Sequence, residues 1–386
     1  MFGGILPPIL PTIRAEFSLS LPAASAAMVV LMLAANGVQI FSGNARADKT
    51  RPTLLSLGLL VTISICMLSL LSRTGMGLSG LILLAVIAGC GIAVTHPESL
   101  RAIHGLNRIP PAVSTSVFMT GGFLGFASAG AVSTILVSRF GLRGLYLLTI
   151  LPILGVAAIF LLKIRLAVES EAERNAPSTS AHTTLPFWLV LVMAQPAAIG
   201  MTIIAALLPT MLNDLGFGLT FGGYSSTMFA LGAAAGTFLW GALGHKKGEL
   251  NCCIAAFLLT IPFLGAYLIF AQHRWAVWLL FGAGFCSVPA YVLVITLARN
   301  ARGLNLGLRM GLVVGGTWGM ANLVFMALAI LAEHFGTRLV MNLSIIGFPL
   351  SAAFGIIFIL KYRPAPLQTQ QPLARDARSP DSDISA

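Results

Sequence analysis

The chain has 386 residues, of which 57% are hydrophobic and 9% are charged, and its formal net charge is +11. Soluble globular proteins carry about 25% charged residues, so a chain this apolar falls outside that class and needs lipid as the solvent for much of its surface. The basic residues lie in small groups between apolar stretches, which excludes the contiguous basic face of a protein that binds nucleic acid. The composition therefore predicts an integral membrane protein embedded in a lipid bilayer.

Apolar stretches of roughly 20 residues, the length that crosses a bilayer as a helix, recur along the whole chain. In chain order, we predict a partial first span at residues 1–13, followed by full spans at 23–42, 53–71, 78–95, 113–137, 145–162, 187–207, 224–243, 253–270, 276–297, 308–331 and 340–360. Eleven full spans and one stub predict an all-α transmembrane fold.

Two polar segments interrupt this pattern. Residues 165–186 contain three glutamates and a run of Ser, Thr, Ala and Pro, which predicts a solvated linker, and residues 363–386 have the composition of a disordered tail. The predicted spans place 17 of the 23 Lys and Arg residues on one side of the membrane. Because Lys and Arg are retained on the cytoplasmic side, we predict a plasma (inner) membrane protein whose linker and C-terminus are cytoplasmic.

The two halves of the sequence resemble each other. Leu10-Pro11-Thr12-Ile13 matches Leu208-Pro209-Thr210-Met211 at an offset of 198, and Gly43 falls on Gly241 at the same offset. We therefore predict two six-helix bundles, at residues 1–164 and 187–362, related by parallel pseudo-symmetry. This arrangement resembles the major facilitator fold, in which the substrate cavity lies at mid-membrane between the halves. The same offset puts the start of the first helix about eleven residues before Met1, which suggests that this helix is truncated in the chain.

A second motif lies at the end of the fourth predicted span. It runs from Gly89 to Arg101 as GCGIAVTHPESLR, and a Gly121-Gly122-x-x-Gly125 helix follows it. A Gly-x-Gly helix running into His-Pro-Glu, then a basic loop and Gly-Gly-x-x-Gly, is similar to the fosmidomycin-resistance-type branch of the major facilitator superfamily. That resemblance extends over most of the chain and implies a membrane transporter.

Three ionisable residues of this motif are candidates for coupling or gating. Pro97 lacks a backbone donor and should bend the helix, directing His96 and Glu98 toward the bundle or the cytoplasmic gate. Since His titrates near neutral pH, these two residues and Arg101 would form a proton-sensitive latch. The alternative is that all three are solvated loop residues at a helix end.

The loop after the second span resembles the gate signature of the same superfamily, Gly-x-x-x-Asp-Arg/Lys. Here Asp48 follows Gly43 one residue late, and Lys49 follows it. The resemblance implies that Asp48 and Lys49 help hold the inward face closed through charge pairs and helix dipoles. The alternative is a basic loop that only fixes topology.

Small residues recur every four positions in the fifth and eleventh predicted spans, at Gly121/Gly125/Ala129 and Gly311/Gly315/Gly319. Such ladders let two helix backbones approach closely, so we predict packing faces there, compatible with rocking between the halves.

Polar and aromatic residues inside the spans are candidates for contact with substrate. Some of them will only form hydrogen bonds between helices. Because no span carries a central acidic pair or a cationic clamp, the predicted cavity is adaptable and largely apolar. The candidates are Asn36, Gln39, Ser116, Thr120, Gln195, Thr202, Tyr224, Tyr291, Trp318 and Asn322.

These features predict a monomeric secondary transporter that exports a small organic compound, plausibly in exchange for protons. Export is implied by the family resemblance alone. The alternatives are an importer or exchanger of a small metabolite, and a non-transporting degenerate paralogue. An enzyme is disfavoured, since no metal-ligand cluster, phosphate loop or Ser/His/Asp constellation lies within the spans, and no cofactor is expected.

Overall fold

The structure is a computed structural model that describes residues 1–42, 50–104, 111–167, 185–304 and 306–361. Every long element in these ranges is helical, and strand-type pairing among them is limited to one isolated bridge, Pro186–Arg302. Ten stretches of the described chain are long and apolar enough to cross a bilayer, and one of them, Thr120–Leu161, covers two successive helices. The predicted all-α transmembrane class is confirmed, whereas the tail and most of the linker lie outside the described residues.

The first half contains six helical segments, which correspond to the six predicted spans. They are α1 (Leu6–Phe17), α2 (Leu21–Ser42), α3 (Thr53–Val61, continuing through a 3-10 stretch at Thr62–Met67 into Leu68–Thr74), α4 (Gly77–His104), α5 (Pro111–Phe140) and α6 (a 3-10 stretch at Gly141–Thr149 followed by Ile150–Leu161).

The second half contains six more. They are α7 (Phe187–Asp214), α8 (Leu219–Lys247), α9 (Glu249–Phe270), α10 (Val277–Asn300), α11 (Leu306–Met310, a π-helical turn at Gly311–Gly316, then Thr317–Phe335) and α12 (Thr337–Leu343, a 3-10 turn at Ser344–Ile346, then Gly347–Lys361). The repeated Leu-Pro-Thr motif falls within α1 and α7, which have 12 and 28 residues.

Close helix contacts repeat between the halves. A Cβ added to Gly89 of α4 would lie 2.5 Å from the Leu31 carbonyl oxygen of α2, and one added to Gly284 of α10 would lie 2.0 Å from the Phe229 carbonyl oxygen of α8. Leu31 and Phe229 are 198 residues apart, the offset of the sequence repeat. The repeat predicted from short motifs is therefore also a repeat of packing, with α4 and α10 as equivalent helices.

Among the described residues the halves meet mainly along three helix pairs, α5 with α8, α2 with α11, and α1 with α7, and α1 also contacts α8. We call the side at which α2, α4 and α10 end the basic face, because the predicted topology puts most Lys and Arg residues there. The side at which α1, α5 and α7 end is the opposite face. These two names locate the gates described below.

One helix is longer than predicted. The fourth predicted span stops at residue 95, but α4 continues to His104 and contains Pro97 in its interior. The nine residues beyond the predicted end form about two and a half turns, and Glu98 and Arg101, three residues apart, make an ion pair there. The alternative of solvated loop residues at a helix end was wrong, because the His-Pro-Glu sequence lies within the helix.

Candidate substrate cavity and gates

At the opposite face the two halves are in close contact. A Cβ added to Gly223 of α8 would lie 2.1 Å from the Thr134 hydroxyl and 2.4 Å from the Gly130 carbonyl oxygen, both of α5. Thr227, one turn further along α8, donates a hydrogen bond of 2.6 Å to the Ala127 carbonyl and accepts one of 2.9 Å from the Ala131 amide. Glycine permits this approach because any larger side chain would fill the gap.

A carboxylate adds a polar contact between the halves at the same face. Glu333, near the end of α11, accepts a 2.8 Å hydrogen bond from the Leu21 amide at the start of α2 and pairs with Arg14 of α1 at 3.3 Å. An acidic group at a helix N-terminus is stabilised by the free amides and the helix dipole. Since the Arg14 and Glu333 side chains remain about a third exposed, screening keeps this ion pair weak, and most of the closure comes from α5 and α8.

Toward the basic face the same helices border open space. A Cβ added to Gly121 or Gly122 of α5, or to Gly311 of α11, would meet no other atom of the described residues within 4 Å, apart from its own helix backbone and chain neighbours. At Gly121, the member nearest the basic face, the Gly121/Gly125/Ala129 ladder therefore does not pack against another helix, contrary to the prediction. The close approach occurs instead at Gly130, one residue beyond the ladder.

The second-half candidates gather around the π-helical turn of α11. The Tyr291 hydroxyl donates a 2.5 Å hydrogen bond to the Val313 carbonyl inside the turn, and the Tyr291 and Trp318 rings lie edge to face at 5.1 Å. Gln195 of α7 donates to the Thr317 carbonyl at 3.3 Å, and Asn322 donates to the Trp318 carbonyl at 2.8 Å. A π turn breaks the regular i→i−4 pattern and is frequent at functional sites, and here side chains from α7, α10 and α11 bond to backbone oxygens at and just after it.

We expect Tyr291→Phe to lower the free energy of unfolding by about 1 kcal/mol, because the Val313 carbonyl would lose a buried partner. Thermal unfolding in detergent would measure this. Tyr224→Phe is the matched control, since Tyr224 is 47% exposed on α8 and should change stability little. Equal shifts for both variants would contradict the role given to the Tyr291 hydroxyl.

The remaining candidates are placed less uniformly. Asn36 of α2 lies beside the π turn, since a Cβ added to Gly315 would lie 3.7 Å from its carbonyl oxygen. Gln39 and Thr120 are half-buried. Thr202 is buried and donates to the Ala198 carbonyl of its own helix. The Tyr224 side chain is exposed on α8, while the Ser116 side chain lies outside the described residues.

The proposed latch at the inner end of α4 separates into two parts. Glu98 and Arg101 form a buried ion pair of 2.7 Å, and Arg101 also donates two hydrogen bonds to the Ala167 carbonyl, at 3.0 and 3.2 Å. His96 instead packs its ring against Phe118 of α5 at 5.8 Å. Asp48 and Lys49 lie outside the described residues, so their predicted gate role stays a prediction.

Both described ends of the linker attach to equivalent helices. Ala167, after α6, donates its amide to the Arg101 carbonyl of α4, and Leu166 donates to the Thr50 carbonyl. Before α7, the Phe187 amide donates to the Arg302 carbonyl at the end of α10, and the Arg302 amide donates to the Leu185 carbonyl. The chain is thus fixed to the ends of α4 and α10 at the basic face where it leaves one half and enters the other.

Sequence reasoning missed two residues of the closed face. Glu333 was visible as an isolated acid at the end of the eleventh apolar span, and its reach to α2 follows only from the way the halves dock. Thr227 is one of many span threonines, and nothing in its sequence neighbourhood marks it except the glycine four residues earlier. Among the described residues no group of three or more His, Cys, Asp or Glu side chains has the arrangement of a metal site.

Comparison with known proteins agrees with this architecture. The model of the Major Facilitator Superfamily matches residues 190–384, half of the chain. The chain is 23% identical over 350 residues to the Fosmidomycin resistance protein of Escherichia coli (strain K12), which covers 88% of this chain and 85% of that protein. Its fold is similar to the crystal structure of a bacterial homologue of the iron transporter ferroportin in an inward-facing state, with a TM-score of 0.65, 14% identity, and coverage of 92% of this chain and 96% of that one. The chain belongs to the major facilitator superfamily of membrane transporters.

Proposed function

We propose that the protein is a secondary active transporter of the plasma (inner) membrane that exports a small organic compound by alternating access, in exchange for protons. The observation that carries the proposal is the asymmetry between the two faces. The halves are sealed at the opposite face by Gly130, Gly223 and Thr227, while α5 and α11 border open space toward the basic face. This is the arrangement of an inward-facing carrier if the basic face is cytoplasmic, as the Lys and Arg distribution favours.

The direction of transport rests on a likeness rather than on geometry. The relative with 23% identity is named for resistance to fosmidomycin, and resistance to a compound is a consequence of exporting it. We therefore infer export of a small organic molecule, with the protein acting as a monomer of two six-helix bundles at residues 1–164 and 187–362, joined by a cytoplasmic linker at 165–186 and followed by a cytoplasmic tail.

The substrate would bind between the halves, against the π turn of α11. Trp318 offers a half-buried aromatic ring that packs on the buried ring of Tyr291, and Gln195 and Asn322 supply amide groups from α7 and α11. Asn36, Gln39, Ser116 and Thr120 would contribute from the first half, and Thr202 and Tyr224 from the second. Few hydrogen-bonding groups and a wide apolar surface favour a neutral or weakly charged compound.

Coupling and gating are assigned to the inner end of the first half. Protonation of Glu98 would weaken its pair with Arg101 and loosen the segment after α6, whose Ala167 carbonyl Arg101 holds. His96 lies on the neighbouring face of α4, toward α5. Asp48 and Lys49, in the loop that follows the second span, would help to close the same gate.

Compound accumulation in efflux-deficient cells tests the proposal. Cells that express the chain are expected to retain less of at least one compound from a broad panel than cells without it, and an uncoupler should abolish the difference. Unchanged accumulation across the panel would rule out the exporter, and a difference that survives the uncoupler would rule out proton coupling.

Glu98→Gln and His96→Ala are expected to remove the pH dependence of any export that is observed. Each substitution takes away a group that can exchange a proton at the inner end of α4. Export rates measured over a range of external pH would show a flat profile for both variants. His334→Ala, at an exposed histidine of α11, should keep the parental profile, and an unaltered profile for the first two variants would exclude them from coupling.

A further inference from the structure

Thr227 differs from four other threonines of the second-half spans in its choice of partner. Thr202, Thr237, Thr260 and Thr296 each donate their hydroxyl to the carbonyl four residues earlier in the same helix, at 2.8, 2.8, 2.9 and 3.3 Å. Thr227 donates to Ala127 of α5, across the boundary between the halves, at 2.6 Å. A threonine in a helix ordinarily satisfies its hydroxyl locally, so this contact replaces a bond that Thr227 can form within α8.

The hydroxyl lies between two groups that are themselves a natural pair. The Ala127 carbonyl and the Ala131 amide are four residues apart in α5, the spacing of one backbone hydrogen bond of an α-helix. Thr227 accepts from the amide and donates to the carbonyl. Inserted between the two helices at this point, the side chain joins the backbone of α5, which is helical throughout Pro111–Phe140, to α8.

Close approach of the two backbones makes the insertion possible. A Cβ added to Gly130 would lie 2.5 Å from the Gly223 carbonyl oxygen and 3.0 Å from the Thr227 hydroxyl. Thr134, on the same side of α5, donates at 2.8 Å to the Gly130 carbonyl of its own helix, so its hydroxyl does not compete with Thr227. Thr227 is therefore the side chain whose hydrogen bonds cross between α5 and α8 at this contact.

We propose that Thr227 is a positioning residue whose hydroxyl changes partners when the halves separate at the opposite face. In the closed form it bridges Ala127 and Ala131. In the open form it returns to the Gly223 carbonyl, four residues earlier in α8. The hydroxyl then has two hydrogen-bond partners in the closed form and one in the open form, so it favours closure by about one hydrogen bond and still has a partner when the halves separate.

This inference rests on the alternating access of the proposed function, but its test is independent of substrate and of transport direction. Spin labels attached through Ser138→Cys on α5 and Thr220→Cys on α8, with the five native cysteines replaced by alanine, report the separation of the two helices at the opposite face. Pulsed electron paramagnetic resonance gives the distance distribution in nanodiscs. The parent should show a dominant short distance.

Removing the hydroxyl should shift this distribution. Thr227→Val, which keeps the shape of threonine, is expected to lower the ratio of short to long distances about tenfold, the effect of losing roughly 1–1.5 kcal/mol of hydrogen bonding. Thr227→Ser keeps the hydroxyl and should retain the parental distribution. Thr237→Val, on the same helix, loses only a bond within α8 and should also retain it.

Three results would overturn the proposal. The first is a parental distribution for Thr227→Val, and the second is a shift as large in Thr227→Ser. The third is an equal shift in Thr237→Val, which would indicate a general loosening of α8. If Thr227→Val does not fold, Thr227→Ala serves as the hydroxyl-free variant and is held to the same expectation. A chain that fails the accumulation assay but passes this one would refute the exporter and leave the exchange of partners standing.

Discussion

Arg101→Ala is expected to destabilise the protein by about 3–5 kcal/mol, because it leaves the Glu98 carboxylate buried without its counter-charge. The side chains of Arg101 and Glu98 are 5% and 2% exposed, so water cannot replace the lost partner. The second oxygen of Glu98 already has no hydrogen-bond partner among the described residues. The same variant also frees the Ala167 carbonyl and with it the segment that follows α6. Thermal unfolding of the purified protein in detergent would show the loss.

Two further variants separate the charge effect from a general effect of substitution. Arg299→Ala, at an exposed arginine near the end of α10, should stay within about 0.5 kcal/mol of the parent. Replacing both members of the pair, as Glu98→Gln with Arg101→Gln, removes the buried charge and should recover much of the stability that Arg101→Ala loses. If the double variant is no better than Arg101→Ala, the ion pair is not the source of the effect.

Gly223→Ala is expected to force α5 and α8 apart at the opposite face. The added methyl group would lie 2.1 Å from the Thr134 hydroxyl and 2.4 Å from the Gly130 carbonyl, and the latter is backbone that cannot turn aside. Overpacking of this kind costs about 1–3 kcal/mol and falls only on the closed form. The population of the closed form should drop accordingly, by roughly tenfold or more.

Labelling kinetics would measure this change. A cysteine introduced by Ser226→Cys, half-buried beside the contact, should react faster with a membrane-impermeant thiol reagent applied to the opposite face when Gly223→Ala is present. Gly121→Ala is the matched control, because its added methyl group meets open space and should leave the rate unchanged. Equal rates for the parent and Gly223→Ala would contradict a closed form held by this contact.

Most of the fold could be predicted from the sequence because a bilayer leaves few alternatives. An apolar stretch in lipid must satisfy its backbone internally, so hydropathy alone located the eleven full spans. The repeat of Leu-Pro-Thr was enough to pair the halves, and the packing partners Leu31 and Phe229 follow the same offset. The end of α4 was missed because the apolar stretch stops at residue 95, whereas the nine residues after it, which include the ion pair of Glu98 and Arg101, are still helical.

The candidate site was only partly accessible from sequence. Polar residues inside spans were recognisable, and Gln195, Tyr291, Trp318 and Asn322 do gather at one turn. The π-helical turn that gathers them was not foreseen, since Gly311–Gly316 reads as an ordinary small-residue ladder. The contacts of Thr227 and Glu333 join residues 96 and 312 positions apart along the chain, and such pairs depend on how the two halves dock rather than on any local pattern.

The π turn of α11 also has a consequence for the length of the chain. Such a turn holds one residue more than the α-helix around it, so deleting a single residue within Gly311–Gly316 would convert it to regular helix without breaking the span. The wider π turn absorbs the extra residue, so the helix from Thr317 onward would keep its orientation relative to the end at the basic face. Trp318 and Asn322 would therefore stay where they are, whereas the Val313 carbonyl would rejoin the α-helical hydrogen-bond pattern and Tyr291 would lose its acceptor. This helix could thus gain or lose one residue at the turn and keep the same side chains on the face that Trp318 and Asn322 share.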